Sequence, residues 1–221
     1  MNLFDIIGPV MIGPSSSHTA GAVRIGQMAY TLLGETPSKV SVELHQSFAK
    51  TCRGHGTDKA IIAGLMGFTP DDIRIRESLV LAAECGMTFS FTETDMSDAH
   101  PNSVRIIASV HTDRKVSLQA SSVGGGRVRI SEVNGLPVDI TGDYPTLLCM
   151  HQDRLGLISE LTLHLAQNKI NIANMRVFRS ARTELVATFI ETDQLIDPDI
   201  LRKIEQLSGV GSTYSLPPLQ L

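Results

Sequence analysis

Residues 13–34 read GPSSSHTAGAVRIGQMAYTLLG, a polar loop that leads directly into an apolar helical repeat. Apolar residues recur at helical spacing in this repeat and Gly34 is a typical stop signal, so the stretch predicts a helix. The first backbone N–H groups of a helix have no partner within it and attract anions. Hydroxyl donors beside the imidazole of His18 therefore suit a small carboxylate substrate and acid–base chemistry. The alternative is that Ser17 or Thr19 simply caps the helix.

A second loop repeats this arrangement of an imidazole before a helix. Residues 53–58 read RGHGTD, and residues 59–65, KAIIAGL, follow with helical spacing. We expect Thr57 or Asp58 to cap the helix, and the glycines beside His55 allow a ligand or a partner to approach the backbone closely. The alternative is a flexible turn that carries a surface histidine.

Alternation of apolar and polar residues predicts strands in the rest of the N-terminal part. The Asn134-Gly135 pair is a strong hairpin signal. The triple glycine at 124–126 predicts a tight turn, with an anion cradle as the lesser alternative. The expected strands are residues 39–44, 87–92, 104–110, 116–120, 127–133 and 136–140, with a short helix over residues 79–85.

The C-terminal part has the pattern of a small domain of its own. Residues 141–145 are typical of a linker, so we place one domain at 1–140 and the other at 146–221. The second domain follows the order βαββαβ, the ferredoxin-like plan, and the fold class of the whole chain is α+β. The expected elements are strand 146–150, helix 157–167, a strand from 170, its partner at 183–192, helix 198–207 and strand 210–216.

Composition limits the classes of function. A formal net charge of −4, no tryptophan and three tyrosines in 221 residues favour neither nucleic acid nor an anionic membrane as partner. The sequence has no evident signal peptide or membrane-spanning run, so we expect a cytoplasmic protein. Cys52, Cys85 and Cys149 are too widely spaced to predict a disulfide framework or a metal site, and we expect reduced thiols and no metal ligands.

Three motifs together carry a resemblance to a known family. They are Gly13-Pro14-Ser15-Ser16-Ser17-His18-Thr19, Gly54-His55-Gly56-Thr57-Asp58, and Ser122-Val123-Gly124-Gly125-Gly126 with Asn134-Gly135. Over essentially its whole length the chain resembles the beta subunit of two-chain, iron–sulfur-dependent bacterial L-serine dehydratases. Its C-terminal part resembles an ACT domain. Its N-terminal part is similar in class to the allosteric substrate-binding domain of some D-3-phosphoglycerate dehydrogenases.

The resemblance implies a division of labour between two chains. A separate alpha subunit would carry the cysteines that hold a 4Fe-4S cluster, and the two chains together would convert L-serine to pyruvate and ammonia. His18 and His55 match the motif histidines of the family and are the candidate catalytic residues. One would orient the substrate carboxylate and the other would take or relay the α-proton, in an order that the sequence leaves open. The candidate carboxylate donors or interface residues are Ser15, Ser16, Ser17 and Thr19.

The resemblance to an ACT domain implies self-association and a regulatory ligand site. The expected ligand residues are Asp153, Leu155, Gly156, Asn171 and Ile172. Leu155 stands where the usual pattern has a proline, so the domain either binds a ligand or only dimerises. Two other functions remain open: a purely regulatory amino-acid-binding module, and a fragment akin to the tail of D-3-phosphoglycerate dehydrogenase. The two histidine loops favour the enzyme, and no dinucleotide-binding glycine motif follows a strand.

Overall fold

The computed structural model describes residues 9–111, 114–179 and 184–218. Its contacts divide the chain into two compact units at Asn134–Gly135, whereas the sequence places the limit at residue 140. The elements of the first unit are a π-helical turn Ser16–Gly21, α1 (Ala22–Leu33), β1 (Lys39–Leu44), α2 (Gln46–Lys50), α3 (Thr57–Leu65), a 3-10 helix Ile73–Glu77, α4 (Ser78–Glu84), β2 (Thr88–Glu93), β3 (Ser103–Ser109), β4 (Lys115–Gly124) and β5 (Arg127–Val133).

The strands of the first unit form a mixed sheet in the order β2-β1-β3-β4-β5. β1 pairs parallel with β2 and antiparallel with β3, and the remaining pairs are antiparallel. Alternate residues of each inner strand are buried, as period-2 side-chain alternation requires. The buried face, which includes Val42, Ile106 and Leu118, forms one apolar core with α1 and α3.

Two glycines let α1 and α3 touch backbone to backbone. A Cβ atom at Gly64 would lie 2.8 Å from the Cα of Gly26 and closer still to the carbonyl oxygen of Val23. A Cβ atom at Gly26 would lie 2.9 Å from the nitrogen of Leu65. Because the polar turn of residues 15–19 precedes α1 and the histidine loop precedes α3, this contact determines how close the two loops lie.

The elements of the second unit are β6 (Leu136–Ile140), β7 (Thr146–Gln152), α5 (Leu157–Gln167), β8 (Ile172–Arg179), β9 (Leu185–Thr192), α6 (Pro198–Glu205) and β10 (Val210–Leu216). Strands β7 to β10 form an antiparallel sheet in the order β10-β7-β9-β8, and α5 and α6 pack on a buried cluster that includes Leu147, Leu161 and Ile204. From β7 to β10 the elements follow the order βαββαβ, so the predicted ferredoxin-like plan and the predicted α+β class are confirmed.

Some local predictions differ from the structure. The five-residue helix α2 was not predicted, because it is too short for an apolar repeat and begins at Gln46 with a φ of 35°. Helix α6 ends at Glu205 instead of Leu207. β9 begins at Leu185, and the predicted first residue of that strand, Thr183, lies outside the described residues. Within the described ranges, every helix is too short or too polar to cross a membrane.

Candidate active site

The polar turn before α1 is capped by Ser15. The Oγ atom of Ser15 accepts a hydrogen bond of 3.2 Å from the backbone N–H of His18 and lies 3.3 Å from His18 Nδ1. The alternative interpretation, in which Ser17 or Thr19 only caps the helix, is therefore wrong about the capping residue. The backbone widens into a π-helical turn at Ser16–Gly21, a distortion that is frequent at functional sites and that an apolar repeat does not reveal.

The imidazole of His18 is held on its other side by α2. Its Nε2 atom lies 3.1 Å from the Oγ atom of Ser47, and its ring meets the ring of Phe48 edge-on with centroids 5.3 Å apart. Phe48 is fully buried, so this side of the imidazole has a rigid apolar support. Sequence analysis missed Ser47, since no repeat or motif marks the short helix that carries it.

His18 and His55 lie against each other. Their ring centroids are 4.9 Å apart at an interplanar angle of 78°. Burial, and the second imidazole next to it, lower the pKa of His18. The neutral form of His18 is therefore favoured at neutral pH. The helix after His55 begins at Thr57 with Gly56 as its cap, at a φ of 67°, which corrects the predicted cap Thr57 or Asp58.

Two buried polar atoms at this site, one of them in the histidine pair, have no hydrogen-bond partner among the described residues. They are Oγ1 of Thr19 and Nδ1 of His55. Buried polar groups are nearly always paired, and an unpaired one costs about 1–3 kcal/mol. Both residues line one pocket of about 280 Å³. The two unsatisfied atoms therefore belong to residues in the wall of this pocket.

Ser16 and Ser17, the other two predicted hydroxyl donors, are half-buried on the π-helical turn. Neither contributes to the lining of the 280 Å³ pocket, whereas Thr19 does. Of the predicted site residues, only Thr19 and His55 line this pocket. Ser15 contacts His18, which lies against His55.

The third motif acts as a support for the polar turn. Arg24, only 3% exposed, donates a hydrogen bond of 2.6 Å from Nη1 to the carbonyl oxygen of Gly126. A Cβ atom at Gly21 would lie 2.8 Å from the Cβ of Ser122, so β4 packs directly on the turn. These contacts favour the structural interpretation of the triple glycine.

The predicted regulatory residues of the second unit lie in two separate places. Asp153, Leu155 and Gly156 line a pocket of about 570 Å³, in which Asp153 forms an ion pair of 3.0 Å with Arg179. The side chain of Leu155 is 97% exposed. The other two predicted residues, Asn171 and Ile172, line a different pocket of about 470 Å³.

The three cysteines lie in different surroundings. Cys52 is half-buried, Cys85 is exposed and Cys149 is buried. Burial raises the pKa of Cys52 to about 11 and that of Cys149 to about 12, so both thiols stay protonated. Across the described ranges, no three His, Cys, Asp or Glu side chains are grouped so that they could hold a metal ion. The described cysteines are therefore not arranged to bind an iron–sulfur cluster.

The first unit is a mixed α+β fold that brings two histidines face to face, and the second unit is a ferredoxin-like fold. Residues 2–133 match the family described as "Serine dehydratase beta chain", and residues 146–209 match the "ACT domain" family. The chain therefore belongs to the serine dehydratase beta chain family, and the resemblance found in the sequence is confirmed.

Several relatives are similar to this chain. The "Probable L-serine dehydratase, beta chain" of Bacillus subtilis (strain 168) is 42% identical over 95% of this chain and 94% of the relative. The "L-serine dehydratase, beta chain" of Peptoniphilus asaccharolyticus is 38% identical over 86% of each chain. The "L-serine dehydratase TdcG" of Escherichia coli (strain K12) is 32% identical over 66% of this chain and 37% of that protein.

Proposed function

We propose that this chain is the beta chain of an L-serine dehydratase, and that with a partner alpha chain it converts L-serine to pyruvate and ammonia. The observation that carries the proposal is the His18–His55 pair, of which His55 lines the 280 Å³ pocket, in a chain of this family. The names of the Bacillus subtilis and Peptoniphilus asaccharolyticus relatives specify a beta chain, which implies a partner.

The partner would hold the 4Fe-4S cluster that the family resemblance implies. The three cysteines lie in different surroundings, and burial raises the pKa of Cys52 and Cys149, which supports this assignment to the other chain. The match to the Escherichia coli protein TdcG supports it as well. Only 37% of that longer protein aligns with this chain, so its remaining part has room for the functions of a second chain.

We assign the proton transfer to His55 and a positioning role to His18. Both ring nitrogens of His18 lie near serine hydroxyls, on Ser15 and Ser47, which hold the ring in one orientation. His55 lines the pocket, and its buried Nδ1 atom has no hydrogen-bond partner among the described residues, which supports His55 as the group that accepts the α-proton of a bound amino acid. The unpaired hydroxyl of Thr19 can donate a hydrogen bond to the substrate carboxylate.

The test is turnover by the purified two-chain complex, prepared without oxygen. We expect His55→Ala to lower kcat by about 10²–10⁴-fold, the usual effect of losing a general base. His111→Ala is the matched control, because His111 is an exposed histidine outside the site. Pyruvate production near the wild-type rate in a folded His55→Ala complex would contradict the assignment. A complex of both chains that forms no pyruvate from L-serine would contradict the proposed function.

The second unit, which matches the ACT domain family, would associate with a second copy of itself. It would also bind a regulatory ligand. The fully exposed Leu155 and the 42% exposed Val177 line the same pocket beside the edge strand β8, which suits an apolar contact with a second copy. We expect Leu155→Asp to reduce the oligomer size of the chain in light scattering, whereas Leu163→Asp, at another exposed leucine, leaves it unchanged. An unchanged mass for Leu155→Asp would contradict this contact.

A further inference from the structure

Strand β2 forms an open edge of the first sheet. Among the strands that the structure describes, β2 pairs with β1 alone, and this parallel register runs over six residue pairs without a shift. The backbone N–H of Thr88 donates to the carbonyl oxygen of Ser38, on the β1 side. Because successive residues of a strand point their N–H and C=O groups to opposite sides, those of Phe89 and Phe91 point away from β1, toward the open edge.

This edge lacks the features with which proteins usually protect an exposed strand. Its sequence, TFSFTE, contains no lysine or proline, and its regular pairing with β1 leaves no bulge. The rings of Phe89 and Phe91 lie on one face of the strand, edge-on with centroids 6.1 Å apart, and both residues are half-buried. With Leu44 and Leu79 they line a pocket of about 660 Å³, so an apolar surface accompanies the unpaired backbone groups.

The sequence of β2 is complementary to itself. From Thr88 to Thr92 it reads TFSFT, which is the same in both directions. When two such strands pair antiparallel about Ser90, Phe89 of one copy lies opposite Phe91 of the other, and the two threonines lie opposite each other. The outward-facing backbone groups of the phenylalanines then form the hydrogen-bonded pairs of an antiparallel ladder. Aromatic and threonine pairs stabilise such a ladder, and the five paired residues carry no charge, so no like charges meet.

Other registers fit this edge less well. Moving one copy by one residue places outward-facing groups opposite groups that already bond to β1. Moving it by two residues places Phe89 opposite Glu93 in one direction. In the other direction Phe91 lies opposite Met87, whose N–H already donates to Ala82.

We propose that β2 is a contact between two copies of this chain, in which the two strands pair antiparallel about Ser90 and continue the first sheet from one copy into the other. The same residues contribute from both copies, so the contact has two-fold symmetry and closes on itself. It is separate from the contact proposed for the second unit and does not depend on the proposed function.

The experiment is disulfide cross-linking of the full chain by copper–phenanthroline, in a Cys85→Ser background that removes the exposed native thiol. In the proposed register the two Ser90 residues form a non-hydrogen-bonded pair with Cα atoms about 4.5 Å apart, within the range of a disulfide. Thr92→Cys is the matched control, because the two Thr92 residues lie four positions apart along the pair, about 13 Å. We expect at least about tenfold more cross-linked dimer for Ser90→Cys than for Thr92→Cys.

A second measurement tests the contact without a cross-link. Ser90→Lys places two like charges opposite each other at an exposed position, and Ser97→Lys adds the same charge at an exposed serine beyond the strand. We expect Ser90→Lys to halve the mass of the chain in light scattering and Ser97→Lys to leave it unchanged. Equal cross-linking of the two cysteine variants, or an unchanged mass for a folded Ser90→Lys chain, would overturn the proposal. Neither measurement uses the alpha chain or turnover, so this result is independent of whether the complex forms pyruvate from L-serine.

Discussion

The close contact between α1 and α3 leads us to predict that a Gly→Ala substitution will destabilise the protein, the opposite of its usual effect in a helix. Gly→Ala inside a helix normally stabilises by up to about 1 kcal/mol, because alanine loses less conformational freedom on folding. We expect Gly64→Ala to destabilise this protein instead. The added methyl carbon would lie 2.8 Å from Gly26 Cα, against ordinary contact at 3.4 Å or more. The helices must therefore separate by at least about 0.6 Å.

The size of the effect follows from what the methyl group meets. The obstructing atoms belong to the backbone of α1, including the Val23 carbonyl, and have no alternative rotamer. Overpacking of this kind costs about 1–3 kcal/mol, and this site belongs to the upper half of that range before the helix-propensity gain is subtracted. We expect a net loss of about 1–2 kcal/mol in the free energy of unfolding.

The assay is urea unfolding followed by far-UV circular dichroism. Gly54→Ala is the control, because a Cβ atom there would meet only the Thr51 carbonyl oxygen, at 3.8 Å. We expect Gly54→Ala to change the free energy of unfolding by less than about 0.5 kcal/mol, as is usual for an unobstructed surface change. A Gly64→Ala protein at least as stable as wild type would refute the backbone contact and the reason given for the closeness of the two histidine loops.

Four further predictions concern His18 and the residues that support its turn. Since burial and the neighbouring His55 hold its pKa below the ordinary 6.5, we expect His55→Asn to raise that pKa in an NMR titration. The unfolded chain binds this proton at higher pH than the folded chain, so the free energy of unfolding of the wild type should fall as the pH drops below about 6.5. Ser47→Ala removes the 3.1 Å contact to Nε2 and should lower kcat/KM about 2–10-fold, the value of one hydrogen bond, while circular dichroism stays unchanged. Arg24→Met removes the hydrogen bond to Gly126 and should lower the free energy of unfolding by about 1.5–3 kcal/mol; an unchanged urea midpoint would contradict the supporting role of the third motif.

Regular elements could be predicted from the sequence because their periodicity is a local property. The apolar repeat of α1 ends at Gly34, which takes the left-handed conformation with a φ of 77°. The alternation of β1 matches its observed burial residue by residue. The Asn134–Gly135 pair has positive φ at both positions, as a tight hairpin requires. In each case neighbouring residues alone carry the signal.

The details of the candidate site were less accessible from the sequence. The cap at Ser15 depends on a π-helical turn, whose extra residue has no signature in an apolar repeat. Ser47 lies on a helix of five residues, too short to show a period. Arg76 reaches the pocket of His55 from a separate segment, so no local motif links the two residues.

The sequence by itself determined the α+β class, the ferredoxin-like plan of the second unit and the two histidine motifs. Only the tertiary structure decided that His18 and His55 face each other at 4.9 Å, and that Arg76 lines the neighbouring pocket. The physical reason is that secondary structure follows from side chains close along the chain. The distance between two loops instead follows from helix packing, here from the absence of side chains at Gly26 and Gly64.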